Sequence, residues 1–164
     1  MVTAQRTIRN DEDHALGRTT LKEAFAASCN TTFARLAVER LGPTKLAASA
    51  RRFGFGTRIT PGVDAADGSF PDPKNGAELA EAAIGQGRVQ ASPLLMASVA
   101  AAAGAGLPDG TAGKTGTAEL GDGQTHAWFI GYRGDVAFSV FVEAGGSGPR
   151  VAAPLAARFL TALG

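Results

Sequence analysis

The hydrophobic period of this sequence changes in its last third, from the spacing of helices to the strict alternation of strands. In residues 136–143, Val136, Phe138, Val140 and Val142 fall on one face and Ala137, Ser139 and Phe141 on the other. Residues 113–120 and 127–132 read as two further strands. The turns Gly121-Asp122-Gly123 and Arg133-Gly134-Asp135 join the three into an antiparallel meander. Residues 153–163 then close the chain with an amphipathic helix.

Everything upstream is patterned for helices. Leu21, Phe25, Phe33, Leu36 and Val38 recur at helical spacing through residues 21–40, interrupted by Ser28-Cys29-Asn30-Thr31-Thr32. Serine, asparagine and threonine compete for backbone groups and favour helix starts, so two short helices with a break at Ser28 are predicted. Gly42-Pro43 ends the second. Residues 44–53 form another, closed by Gly54 in a left-handed cap. Residues 54–76 are a long glycine-, proline- and aspartate-rich loop. Residues 77–84 form a short helix ending at Gly85-Gln86-Gly87, and Ser92 with Pro93 opens a helix that runs to 103. Helices followed by strands and a last helix make an α+β class. The expected organisation is an N-terminal loop over 1–18, a helical part over 19–105, and a sheet with its C-terminal helix over 112–164.

Composition narrows the function. A formal net charge of +1 and the lack of a basic stripe argue against nucleic acid. The single cysteine, Cys29, forms no internal disulfide, and His14 and His126 stand too far apart in sequence to suggest a metal site. No cofactor motif stands out: Gly85-Gln86-Gly87 lacks the strand–turn–helix setting of a phosphate loop. Residues 1–13 are polar and the alanine-rich run 96–105 is too short to span a bilayer, so neither a signal nor an anchor is read, and the chain as written is expected in the cytoplasm.

Two short motifs carry chemistry. Lys114-Thr115-Gly116-Thr117 places a cation beside two hydroxyls that share a face, with a glycine that admits close approach to the backbone. Such a set suits a carboxylate, although a bare tetrapeptide of this kind is also a glycine-kinked edge strand with a solvated lysine. Ser28-x-Asn30, between two helices, reads alone as a helix N-cap. Read together, the two motifs match the S-x-N and K-T-G elements of penicillin-binding proteins and serine β-lactamases.

The resemblance extends well past the tripeptides. LKEAFAASCNTTFARLA (21–37), AIGQGRVQASP (83–93), AGKTGTAE (112–119), HAWFIGY (126–132) and AAP (152–154) stand in the order found in penicillin-binding transpeptidase domains, in the manner of the class B, PbpA-like enzymes of actinomycetes. The resemblance implies a peptidoglycan cross-linking function by acyl transfer from D-Ala-D-Ala, with the stem peptide or a β-lactam as partner. It implies that Ser28 relays protons to the leaving amine, Asn30 bonds the substrate's backbone amide, and Lys114 supplies positive potential. It implies that Thr115, Gly116 and Thr117 line the substrate site, with both threonines on the terminal carboxylate and the Thr117 amide in the oxyanion hole. Members of the family are membrane-anchored and extracytoplasmic.

The S-x-x-K motif is missing from this pattern. Thr19, Gly42, Pro71 and Thr111 stand three residues before Lys22, Lys45, Lys74 and Lys114. Without the serine there is no acyl-enzyme. The expectation is therefore an incomplete transpeptidase fold, truncated upstream of S-x-N and inactive as this chain. The alternative is a non-catalytic module that binds peptidoglycan stems or β-lactams reversibly. The stretch 104–111 is also shorter than family members carry. Cys29 reads as a small side chain rather than a nucleophile, for want of a nearby histidine. His126 and Trp128 read as fold supports, Glu119 as a cross-sheet charge and Arg51-Arg52 as a solvated helix face. The family's first strand pairs with the one matching 136–143, so a bare apolar sheet edge and self-association through it are expected.

Overall fold

The computed structural model describes residues 7–10, 14–59, 63–105 and 110–164. Parts of the expected N-terminal loop (1–6 and 11–13), of the long loop (60–62) and of the segment before Lys114 (106–109) lie outside the described residues. The fold is α+β, with helices, a three-stranded antiparallel sheet and a C-terminal helix. The chain divides into two compact units. One comprises Met1–Arg52 with Ser69–Gln90, the other Phe53–Gly68 with Ala91–Gly164.

The first unit holds α1 (Leu21–Ala26), α2 (Asn30–Leu36), α3 (Pro43–Arg52) and α4 (Gly76–Ala82). Thr20 starts α1 with a reciprocal cap: its hydroxyl accepts from the Glu23 amide at 3.2 Å while Glu23 Oε2 accepts from the Thr20 amide at 2.9 Å. Asn75 does the same service for α4, accepting from the amides of Ala77 and Glu78. The helix predicted to run to Arg40 instead loosens into a π-turn over Ala37–Leu41, where the Gly42 amide reaches back to Ala37 O. Gly42 stands at φ 78 and Pro43 follows, so the ladder cannot continue in α geometry. The core is built from small side chains: Ile8, Ala34 and Ala80 pack together, with Ile84 against them. Segments far apart in sequence are tied by an antiparallel bridge between Ser69 and Gln90. Arg51–Asp72 at 3.0 Å and Arg88–Glu78 at 2.6 Å add exposed ion pairs, each worth at most about 1 kcal/mol. Arg51 is thus paired rather than merely solvated.

The second unit holds α5 (Pro93–Gly104), β1 (Thr111–Glu119), β2 (Thr125–Arg133), β3 (Val136–Val142) and α6 (Gly148–Ala162). Ser92 caps α5 by accepting from the Leu95 amide, with Pro93 in the first turn. The strand order is β1-β2-β3, in a register that sets Lys114 opposite Ile130 and Phe129 opposite Val140. The two sheet faces are covered by different helices. Ser139 Oγ donates to Pro93 O at 2.6 Å, which turns the Ala137/Ser139/Phe141 face toward α5. The Phe138 ring meets Phe159 of α6 at 5.0 Å on the other face. Leu95, fully buried, is the largest such side chain among the described residues. Truncating it would cost roughly 2–5 kcal/mol.

α6 starts five residues earlier than its sequence pattern suggests, at Gly148 rather than Ala153. Gly-Gly-Ser-Gly-Pro reads as loop, but proline is tolerated in a first helical turn, where the amide it lacks has no partner to lose. Pro154 lies inside the helix. Among the described residues, no helix is long and apolar enough to cross a membrane.

Candidate functional site

Ser28 is held by the way α1 ends. Ala27 is the C-cap, the Ser28 amide donates to Phe25 O at 3.1 Å, and the Cys29 amide donates to Ala24 O at 2.8 Å. These two reversed bonds are a Schellman closure, whose turning residue must be left-handed and is usually glycine. Here that residue is Ser28, with φ 54. A side chain in this region costs roughly 1–2 kcal/mol. Ala144, in the turn after β3, is the other described non-glycine residue with positive φ. The closure leaves Ser28 exposed while turning Cys29 inward, at 4% exposure.

Asn10, which sequence reasoning missed, locks the next turn. Its Oδ1 accepts from the Thr31 amide at 3.0 Å and from Thr31 Oγ1 at 3.1 Å, while its Nδ2 donates to His14 O at 2.8 Å. It thereby does for α2 what an N-cap side chain would do, from a distant loop. Asn30 Nδ2 donates to Arg9 O at 3.0 Å, a second tie to the same loop. Cys29 Sγ lies 3.0 Å from Thr32 Oγ1 and 3.6 Å from both Thr31 Oγ1 and Asn10 Oδ1. Burial pushes the thiol up, but the hydrogen bonds from Thr32 and Thr31 outweigh it and leave it below the ordinary thiol value. A groove of about 370 Å³ runs beside these groups, lined by Asn10, His14, Cys29 and Thr32 among others.

Lys114, Thr115, Gly116 and Thr117 lie on β1, at one end of the sheet. Lys114 is half-buried, and burial lowers its ammonium below the usual lysine value. Its Nζ donates to Thr115 O at 2.9 Å. Gly113 is required by packing: a Cβ there would overlap the Phe129 ring. Thr117 Oγ1 accepts from the Gly148 amide at 3.1 Å, so the start of α6 is pinned to the motif strand. Gly148 was not read from sequence as a site-supporting residue. Its buried position against the Gly116 and Trp128 carbonyls leaves no room for a side chain. His126 Nδ1 accepts from the Ala144 amide at 3.1 Å, which leaves Nε2 to carry the proton of a neutral ring. Its ring and that of Trp128 both pack on Phe141. Glu119 stands opposite Thr125 in the ladder.

The structure therefore brings Ser28 and Asn30 together in the first unit, and Lys114, Thr115, Gly116 and Thr117 together in the second. Among the described residues, no cluster of three or more metal-ligating side chains occurs. The first group can pass a proton and accept or donate one amide hydrogen bond. The second offers a desolvated cation and two hydroxyls on a strand edge, the donors an anionic oxygen needs.

Comparison with known proteins agrees with the α+β layout. The family model described as the penicillin-binding protein transpeptidase domain matches residues 3–106, a span that contains Ser28 and Asn30 and ends before Lys114. No curated protein matches the chain. Among solved structures, penicillin-binding protein A from M. tuberculosis, in its imipenem acyl-enzyme complex, superposes with a TM-score of 0.77 at 26% identity, over 96% of this chain and 51% of that one. Its ceftriaxone acyl-enzyme complex gives 0.76 at 26% identity, over 91% and 50%. PBP2 from Pseudomonas aeruginosa, in complex with WCK 5153, shares the fold with a TM-score of 0.80 at 24% identity, over 99% and 53%. The chain thus spans about half the length of the solved relatives it matches.

Proposed function

Because the chain belongs to the penicillin-binding protein transpeptidase-domain family, we propose that it carries the proton-relay and carboxylate-binding groups of a class B, PbpA-like peptidoglycan cross-linking enzyme of the actinomycete type. The observation that carries this reading is the state of its two motifs. Ser28 is kept in a left-handed turn where glycine would be cheaper, and strain of this kind is held at sites that use it. Lys114 is half-buried on an edge strand beside two threonines, where a substrate carboxylate would restore the solvation its ammonium has lost.

In acyl transfer from a D-Ala-D-Ala peptide a serine oxygen, which this chain does not itself supply in an S-x-x-K motif, would bond the carbonyl carbon as the amide C–N bond breaks, and the proton that oxygen loses must reach the departing nitrogen. The Ser28 hydroxyl would relay it, since a hydroxyl can accept one proton while donating another. Asn30 is anchored through Nδ2 to Arg9 O, and its Oδ1 receives the substrate's backbone N–H. Lys114, Thr115 and Thr117 bind the terminal carboxylate, with Gly116 allowing the close approach. The Thr117 amide donates to the oxyanion. The organisation that goes with this is a helical part over 19–105 bearing Ser28 and Asn30, and a sheet part over 112–164 bearing Lys114.

No serine stands three residues before a lysine in this sequence, so this chain by itself binds such ligands without forming an acyl-enzyme. The same groups would serve the alternative of a reversible stem-peptide or β-lactam binder. Calorimetric titration with a peptide ending in D-Ala-D-Ala tests the assignment. The parent chain should bind weakly and saturably, and Lys114→Ala should abolish the heat of binding. Equal binding by parent and variant would remove the carboxylate site from β1.

A further inference from the structure

We infer that His126 is a positioning residue for the carboxylate site: its uncharged imidazole holds the turn between β3 and α6, and through that turn seats the Thr117 hydroxyl. The inference rests on the role given to Thr117 above, and every group it uses lies in the second unit. His126 stands on β2 beside Ala127, the residue that faces Thr117 across the ladder. Its Nδ1 accepts from the Ala144 amide at 3.1 Å, just past the last pair of β2 and β3, Ala127 with Val142. The ring thus holds the chain as it leaves the sheet. Ala144 is held there at φ 47, in the left-handed region that a Cβ disfavours.

The turn that follows is short and bound along its length. The Gly145 amide donates to Val142 O at 3.2 Å and the Gly146 amide to Thr125 O at 2.9 Å. Gly145 lies so close to Val142 that a Cβ would overlap its side chain. Two residues beyond Gly146, the Gly148 amide donates to Thr117 Oγ1 at 3.1 Å. Residues 144–148 therefore form a strap from the His126 ring to the Thr117 hydroxyl, and a shift at Ala144 passes along it.

The bond at the start of the strap depends on the ring's charge. A neutral imidazole offers one nitrogen as an acceptor, whereas an imidazolium carries donors on both. Protonation sets the Nδ1 proton against the Ala144 N–H, and the two donors must part. Imidazoles change charge between about pH 5 and 8. The ring packs on Phe141 and faces Ala118 across the ladder. Titratable groups on the elements around it are Lys114 and Glu119 of β1, Tyr132 and Arg133 of β2, Asp122 in the β1–β2 turn, Glu143 beside Ala144, and Arg150 and Arg158 of α6; α5 carries none. His126→Asn keeps all of these, and His14, and so separates their titration from the ring's.

The test is a pH titration of the isotope-labelled full chain between about pH 8 and 5, read by NMR, with calorimetric peptide titrations at both ends of the range. The peptide ends in D-Ala-D-Ala, and its α-carboxyl, with an ordinary value of about 3.3–3.7, stays ionised throughout. In the parent, the Ala144 and Thr117 amide resonances should move with the His126 ring at one midpoint, and peptide affinity should fall by about 3- to 10-fold toward the acid end. His126→Asn places Oδ1 near the position of Nδ1 and accepts at any pH. Its amides should stay still, and its affinity should match the parent's at the alkaline end. His126→Phe keeps a ring against Phe141 but accepts nothing, and should resemble the acid-end parent at every pH. An Ala144 amide that titrates while Thr117 does not overturns the coupling, as does a parent pH response that survives in His126→Asn. Parent-like peptide binding by His126→Phe at the alkaline end overturns the positioning role. If the peptide binds at no pH while the amides still move together, the carboxylate reading of Thr117 falls and the strap from His126 stands.

Discussion

Replacing Gly148 by alanine probes how α6 is seated on the motif strand. A Cβ at this position would overlap the Gly116 carbonyl oxygen and stand 2.9 Å from the Trp128 carbonyl oxygen. Both obstacles are backbone atoms of the β1–β2 ladder, which cannot swing aside as a side chain can. The start of α6 must therefore withdraw by on the order of an ångström to reach ordinary van der Waals separation. That movement also stretches the 3.1 Å bond from the Gly148 amide to Thr117 Oγ1. Overpacking of this kind costs about 1–3 kcal/mol and the lost hydrogen bond about 1 kcal/mol more. For a chain of this length the sum lowers Tm by roughly 5–15 °C. Thermal melts followed by circular dichroism would read the loss, and the Thr117 amide resonance would report the displacement. Gly76→Ala is the control: nothing lies within 4 Å of its Cβ, and its effect should stay within about 0.5 kcal/mol. Co-melting of Gly148→Ala with the parent, or an unshifted Thr117 amide, would show that α6 does not approach β1 as described.

Other substitutions test the remaining supports. Ser28→Gly relieves the left-handed strain and should raise stability by about 0.5–1 kcal/mol in a denaturant titration, whereas Ser28→Ala should not. Asn10→Ala removes the acceptor of the Thr31 amide and should cost about 1–2 kcal/mol, with faster modification of Cys29 by a thiol reagent as the loop opens. Lys114 predicts a pH dependence. Burial lowers its folded-state value below the unfolded one, so as pH rises through that interval the unfolded chain holds more protons and stability increases. The rise falls just below the ordinary lysine value of 10.5, and pH-dependent melts of Lys114→Met should lose that part of it.

Much of this architecture is written in local patterns. The helix break at Ser28, the Ser92-Pro93 start of α5 and the alternation of β3 each follow from short-range chemistry that no tertiary contact overrides. What was not legible depends on groups distant in sequence. Nothing near Asn10 says that its side chain will accept from Thr31, twenty-one residues away. The early start of α6 is hidden in a glycine-rich stretch, because a glycine needed for close approach to a carbonyl looks the same as one that makes a turn. The π-turn over Ala37–Leu41 likewise keeps helical spacing in the sequence and differs only in which carbonyl is reached.

The candidate site divides in the same way. Lys114, Thr115 and Thr117 were readable as a cation and two hydroxyls on a strand, since alternation alone puts the hydroxyls on one face. The half-burial of Lys114 and the anchoring of Thr117 by Gly148 require the packed unit. Ser28 was readable as a helix boundary, but its left-handed conformation comes from the Schellman bonds to Phe25 and Ala24. The strain that makes the position informative is therefore a property of the fold.

The proposed reading is that Ser28, Asn30 and Lys114–Thr117 are recognition groups of a transpeptidase and that no serine of this chain is acylated. Intact-mass spectrometry after incubation with penicillin under native conditions tests it most directly. The account predicts an unchanged mass at every time point. A stoichiometric adduct, mapped to Ser28 or to any other serine, would contradict it.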